Sequence, residues 1–433
     1  MKPILQVALD FVDLKRALKL AEEAVAGGAD WIEAGTPLIK SEGLNCIREL
    51  RKKFPNVKIV ADMKTADVGR VEVEIAAKAG ANVVSVLGTS DDETIKESVS
   101  AAKNYGAEIM ADLLGVMDAV KRAKEIEKLG ADYIDVHIPI DEQMKGKISF
   151  ALVKKVSSAV KIPVALAGGV NSENAADAVK AGAEIIIVGG AITKSKNAKK
   201  ETQKIKKAIT QKIKIKSEFF SRVSEKNIRE ILEKVSTANI SDALHRGLPL
   251  KDIFPLTPSV KMVGPAVTIR TYPGDWAKPV EAIDIAKEGD VIVIDAGGVP
   301  PAVWGELATN SAINRKVSGV VIYGGIRDVA DIKKLKFPAF ATLVTPQAGE
   351  PKGFGEINVP IIISGIKIQP GDWLVGDDDG VIVIPKDVAV EFTNRAMNVL
   401  ETENRLRKEI KDGSSLSKVA ELLKWEKIRD GSE

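Results

Sequence analysis

Asp62, Lys64 and Asp67 stand at DxKxxD spacing where the apolar run Ile59-Val60-Ala61 ends. Side chains two apart on a strand share a face, so Asp62 and Lys64 are expected to project together, with Asp67 in the loop beyond. Charged groups there are costly unless they are paired or used. Two carboxylates flanking an ammonium suit a site that binds a metal and stabilises an anionic intermediate; the plain alternative is a surface salt bridge. The rest of the chain decides between them.

The elements that must position these groups follow a repeated phrase. Gly28-Ala29-Asp30, Gly80-Ala81-Asn82, Gly106-Ala107-Glu108, Gly130-Ala131-Asp132 and Gly182-Ala183-Glu184 each close an Ala-, Lys- and Glu-rich segment and lead into a short apolar run. Glycine after a helix supplies the left-handed residue that ends it, so the unit is helix, stop, strand. Spacings of about 25 residues or double that, with Pro55 and Pro163 before strands at the skipped places, imply about eight units. The expected strands are Ile4–Leu9, Trp31–Ala34, Lys58–Asp62, Val83–Val86, Glu108–Ala111, Tyr133–Val136, Val164–Ala167 and Ile185–Val188. Regular alternation predicts parallel pairing, and eight units predict a closed (β/α)8 TIM barrel over a doubly wound sheet.

Barrel enzymes build their sites from the C-terminal strand ends. Here those ends carry Asp10, Glu33, Asp62 with Lys64 and Asp67, Asp112, His137, Gly168-Gly169 and Gly189-Gly190. Glu33 and Asp62, from neighbouring strands, offer hard oxygen ligands to Mg²⁺. His137 is the sole histidine of this half and reads as an acid/base group rather than a neutral core imidazole. The glycine pairs after strands seven and eight expose backbone N–H groups where barrels bind phosphate.

A chain of 433 residues predicts two domains, and 45% hydrophobic with 28% charged residues is ordinary globular composition. Lys+Arg 63 against Asp+Glu 60 gives no charge argument for nucleic acid. A single cysteine, Cys46, excludes an internal disulfide framework and fits a reducing cytoplasm. Apolar runs are too short for a membrane span, and the N-terminus lacks a signal-peptide core. A cytoplasmic protein is expected.

From Lys194 to Lys216 the chain is dense in lysine, which reads as the last barrel helix running into a solvated linker. The expected domains are residues 1–212, a linker at 213–222, and a second domain over 223–433. In that second half the Gly-Ala repeat stops. Strand-like runs at Ala266–Arg270, Val291–Asp295 and Val317–Tyr323, separated by Gly and Pro turns, predict a distinct α/β domain. Its polar groups concentrate in Gly305-Glu306 and in Gly324-Gly325-Ile326-Arg327-Asp328, with Asp331 one helical turn on. Arg327 beside Asp328 suits a bidentate grip on a carboxylate or enolate next to a metal-binding carboxylate, the alternative being a structural Arg–Asp pair.

Leu9-Asp10, Glu33-Ala-Gly-Thr-Pro37, Ala61-Asp-Met-Lys-Thr-Ala-Asp67, Asp135-Val-His137, Ala167-Gly-Gly-Val170 and Val188-Gly-Gly-Ala-Ile-Thr193 together resemble 3-hexulose-6-phosphate synthase, of the orotidine-monophosphate decarboxylase superfamily. The resemblance implies Mg²⁺-dependent aldol joining of ribulose 5-phosphate and formaldehyde, or the reverse. It also implies a dimer in which Asp67 acts across the interface. On that chemistry His137 is the base, Lys64 donates to the enediolate oxygens or shuttles protons, and Asp10 and Asp67 orient Lys64 and substrate hydroxyls. A β-keto acid sugar-phosphate decarboxylase is the alternative within the same superfamily. The second half is similar to the RraA family, which includes ribonuclease E regulators and Mg²⁺-dependent 4-hydroxy-4-methyl-2-oxoglutarate aldolases. That similarity implies metal on Asp328, pyruvyl oxygens on Arg327 and a metal-bound water at Glu306, with Asp331 completing the motif. It also implies a trimer or hexamer, and a ribonuclease partner if the domain regulates rather than catalyses.

Overall fold

The computed structural model describes residues 2–145, 150–217, 223 and 227–420. The chain divides into two units. In the first, eight parallel strands close a barrel in sequence order: β1 (Ile4–Leu9), β2 (Trp31–Ala34), β3 (Lys58–Thr65), β4 (Val83–Leu87), β5 (Glu108–Asp112), β6 (Tyr133–His137), β7 (Val164–Ala167) and β8 (Ile185–Val188). Ile4 pairs with Ile185 and Val7 with Val188, and that closure removes the sheet edges.

The repeated glycines do what their positions require: Gly28, Gly80, Gly106, Gly130 and Gly182 have φ of 97°, 112°, 69°, 96° and 105°. Side chains with a Cβ are strained there, so each helix stops on schedule and the next strand enters the barrel. Helices lay apolar stripes on the outer barrel face, as Ala17, Leu20, Ala21 and Ala24 do from the helix Leu14–Ala26. Inside, Trp31, Val60, Met110 and Ile185 fill the lumen. The Lys58 ammonium sits 4.6 Å from the Trp31 ring centroid at the strand starts, so that end is packed shut. Chemistry is left to the other end.

β3 departs from the expected strand. It continues past Asp62 to Thr65, its register with β4 shifts between Ala61 and Thr65, and Lys64 takes φ 46°. A bulge, rather than plain two-residue alternation, therefore aims the lysine.

The second unit is the α/β domain expected. Its main sheet runs Gly380–Ile384, Trp373–Asp377, Met262–Arg270, Val291–Asp295, Gly319–Ile326, Ala339–Val344, Phe254–Pro255. The four strands from Met262–Arg270 to Ala339–Val344 are parallel, and Ile292, Ile294, Val320 and Ile322 form the core beneath the helices.

The division differs from the expected one at the C-terminal side. The helix Ala389–Lys411 starts in the second unit, but from Glu401 onward the described residues group with the barrel. The cause is Arg405, only 5% exposed, whose guanidinium finds its acceptors on barrel elements. Of the expected linker at 213–222, residues 213–217 carry no regular structure and 218–222 lie outside the described residues. Among the described residues no helix is long and apolar enough to cross a membrane.

Candidate active site

The C-terminal strand ends bring Glu33, Asp62, Lys64 and His137 around one cavity of about 30 Å³, with Asp112 and Asp135 from β5 and β6. That volume is of the size that holds an ion or a water or two.

Lys64 Nζ lies 3.3 Å from Asp62 Oδ1 and 2.7 Å from Asp112 Oδ2. Asp62 is held by hydroxyls: Thr36 Oγ1 donates to its Oδ2 at 2.6 Å and Ser85 Oγ to its Oδ1 at 2.7 Å. Ser85 Oγ also accepts from the Lys64 backbone N–H at 3.1 Å, tying the bulge to the carboxylate it serves. His137 Nδ1 is 3.1 Å from Asp112 Oδ2 and 4.0 Å from Asp135 Oδ2.

The charges set one another. Burial disfavours the Lys64 ammonium, but Asp62 and Asp112 outweigh it and hold its pKa above the ordinary lysine value. Burial likewise opposes charge on His137, and the hydrogen bond to Asp112 with the nearby Asp135 raises its pKa all the same. Against its burial, Asp112 is held down at about 2 by the same histidine and by Lys64. Burial, with Asp112 next, pushes Asp135 up to about 7, and its Oδ1 has no hydrogen-bond partner among the described residues.

Glu33 is 7% exposed and accepts from the side-chain amide of Gln6 at 2.5 Å. Burial first, then Asp62 and Asp10, drive its pKa well above the glutamate range. A buried carboxylate destabilised by two others is what a hard divalent cation relieves, so the oxygen set at Glu33 and Asp62 fits Mg²⁺.

Asp10 follows β1 at the rim, where burial and Asp62 raise its pKa. A Cβ on Gly35 would collide with its Oδ1, so that glycine makes room for the carboxylate, whereas one on Gly189 would sit in ordinary contact, 3.4 Å from its Oδ2. Gly168 and Gly169 turn at φ 96° and 70°, and a Cβ on Gly168 would strike the Ile138 carbonyl. Gly189 and Gly190 open the short helix Gly190–Thr193 beside them, since β7 pairs with β8. Asp10 and the four glycines lie outside the cavity lining, and so does Asp67, which is exposed and accepts from Val68 N–H.

Sequence reasoning assigned no role to Gln6, Thr36, Ser85, Asp112 or Asp135. The signal was present for Gln6 and Ser85, each a polar residue interrupting an apolar strand, as in Val83-Val84-Ser85-Val86.

In the second unit Arg327 and Asp328 line a cavity of about 150 Å³ with Trp276, Trp304 and Leu307. Arg327 Nε is 3.4 Å from Asp328 Oδ2, which also accepts the Glu306 N–H at 3.1 Å. Asp328 takes φ 58°, and any Cβ on Gly305 would crowd its Oδ2. Glu306 and Asp331 are not brought in: the Glu306 carboxylate is bonded to Asn310, and Asp331 pairs on the surface with Lys334 at 2.8 Å.

Residues 3–205 match the family model described as Orotidine 5'-phosphate decarboxylase / HUMPS family, and residues 237–383 match the Aldolase/RraA model. The 3-hexulose-6-phosphate synthase of Bacillus subtilis is 39% identical over 208 residues, 48% of this chain and 99% of that protein. The enzyme of the same name from Mycobacterium gastri is 42% identical over 188 residues, 43% of this chain and 90% of its own. The crystal structure of the Salmonella typhimurium 3-hexulose-6-phosphate synthase aligns at 34% identity and TM-score 0.47, covering 49% of this chain and all, 100%, of that one. Through its barrel this chain belongs to the Orotidine 5'-phosphate decarboxylase / HUMPS family and is an enzyme of the lyase type, with an RraA-like domain fused behind it.

Proposed function

We propose that the barrel catalyses the Mg²⁺-dependent aldol condensation of ribulose 5-phosphate with formaldehyde to D-arabino-hex-3-ulose 6-phosphate, or its reversal, in the cytoplasm and as a homo-oligomer. The observation that carries this reading is the shared cavity of Glu33, Asp62, Lys64 and His137, together with relatives bearing the synthase name.

In the synthetic direction neutral His137 takes the C1 proton of the ketose, leaving an enediolate. Its C1 attacks the formaldehyde carbon, and the resulting alkoxide receives a proton back from the imidazolium, so no proton is gained or lost overall. Lys64, kept charged by Asp62 and Asp112, donates toward the developing oxyanion, and Asp10 orients hydroxyls at the rim. Magnesium held by Glu33 and Asp62 would supply Lewis-acid stabilisation of negative oxygen. The turns at Gly168-Gly169 and Gly189-Gly190 supply N–H groups to the phosphate. The exposed side chains Val68, Val71 and Ile75, beside Asp67, support a dimer face that carries Asp67 to a partner's site.

Incubation with ribulose 5-phosphate, formaldehyde and Mg²⁺ should yield a hexulose phosphate. Release of CO₂ from a β-keto acid sugar phosphate, with no hexulose phosphate formed, would replace the reading with a decarboxylase. For the second domain, the Arg327–Asp328 pair inside a cavity favours metal-assisted cleavage of an oxo acid over regulation of a ribonuclease. Arg327→Ala should abolish such cleavage and leave the barrel reaction intact.

A further inference from the structure

The segment after Leu400 supplies the barrel with a buried charge network. Arg405 and Glu409 are 5% and 7% exposed. Arg405 Nε donates to Glu409 at 2.9 Å, and its terminal nitrogens grip both oxygens of Glu23 at 3.0 and 3.3 Å. The remaining contact reaches the Ser195 carbonyl at 3.2 Å. A planar guanidinium with several fixed acceptors defines position as well as charge.

Ser195 is not an arbitrary acceptor. Ile192 and Thr193 donate to the Gly189 carbonyl, Lys194 donates to that of Gly190, and Ser195 donates to that of Ile192, each at 3.0 to 3.1 Å. The stretch from Gly189 to Ser195 is thus one hydrogen-bonded turn with Arg405 at its far end. Three residues on, the Ala198 N–H donates to the same Glu23 carboxylate at 3.3 Å. The network also reaches the neighbouring turn: Arg16 donates to Glu409 at 3.0 Å, and its guanidinium lies 5.2 Å from the Phe11 ring, next in sequence to Asp10.

We propose that Arg405 is a positioning residue for the phosphate-binding turn after β8, so that the segment following the second domain is a working part of the barrel's sugar-phosphate site. This rests on the reading of Gly189 and Gly190 as phosphate-binding. Shifting the Ser195 end of the turn displaces the N–H groups at its glycine end, and affinity for phosphate falls while the groups around His137 stay in place.

The test uses the full chain with Arg405→Ala, Arg405→Lys and the milder Glu23→Gln, which keeps the volume and the Ser195 contact. Steady-state kinetics, competition by inorganic phosphate, and amide hydrogen exchange over residues 189–198 are measured. For Arg405→Ala the KM for ribulose 5-phosphate and the inhibition constant of inorganic phosphate should each rise about tenfold, with kcat within about threefold and the formaldehyde KM unchanged. Exchange at 189–198 should quicken, and Arg405→Lys should recover part of each change. If Arg405→Ala does not fold, Glu23→Gln should show the same pattern in smaller measure. Unchanged phosphate affinity and unchanged exchange at 189–198, even with a lower Tm, would overturn the inference. A wild-type enzyme indifferent to ribulose 5-phosphate and inorganic phosphate would instead sink the proposed reaction; exchange then decides whether Arg405 orders the turn.

Discussion

Lys64 and His137 meet on a single oxygen atom, Asp112 Oδ2, at 2.7 and 3.1 Å. Moving a proton on or off the imidazole therefore changes how strongly that oxygen holds the ammonium. The imidazole and the ammonium are linked through one carboxylate, and neither titrates independently.

Lys64→Ala should lower kcat by more than about 100-fold, the scale of losing a positioned electrostatic group. Steady-state assays at saturating substrate check this. A variant within a few-fold of wild type would remove the lysine from the mechanism.

Asp135 gives a stability signature with a definite sign. Its pKa is about 7 in the fold against 3.8 ordinarily, so the folded chain holds an extra proton between those values and stability falls as pH rises across them. The raised His137 acts in the same direction, contributing stability below its ordinary 6.5 that is lost as pH climbs through its higher folded value. Asp135→Asn removes the carboxylate share. Thermal unfolding should show the variant gaining on wild type from pH 5 to pH 8, by about 1–3 kcal/mol at the upper end. Parallel profiles would contradict the burial argument.

Mg²⁺ binding tests the proposed role of Glu33 apart from those of Lys64 and His137. Mg²⁺ should raise the wild-type Tm, EDTA should reverse the effect, and Glu33→Gln should abolish it, since a ligand that binds only the folded state stabilises by mass action. The same variant without Mg²⁺ should be no less stable than wild type, because the amide does not suffer the repulsion of Asp62 and Asp10.

Mixed oligomers test Asp67. Lys64→Ala and Asp67→Ala subunits, each inactive alone, should regain up to about a quarter of wild-type activity when combined, if each dimer rebuilds one complete site. No recovery in verified heterodimers would return Asp67 to its own chain.

Much of the barrel was legible because glycine at a helix end and apolar runs at a regular interval are local signals, and all five Gly-Ala phrases fall where a left-handed residue is needed. That Glu33, Asp62, Lys64 and His137 line one cavity followed from their places at strand ends. What did not follow was how Lys64 is aimed, because the bulge in β3 depends on pairing with β4 rather than on its own sequence. Asp112 went unassigned because its role is to lie between two other residues, a relation that no single stretch displays. Glu306 and Asp331 sit in a motif, yet their side chains turn to Asn310 and Lys334, neighbours four and three residues away. The grouping of residues from Glu401 onward with the barrel was illegible for the same reason as Asp112, since Arg405 finds Glu23 at a separation of 382 residues.

That separation orders events during synthesis. A ribosome releases the whole barrel and then the whole second domain before Arg405 emerges, so Glu23 waits through most of translation for its counter-charge. A nascent chain interrupted between the end of the barrel and Arg405 carries eight finished strands and a Glu23 without the guanidinium that grips both its oxygens in the finished fold.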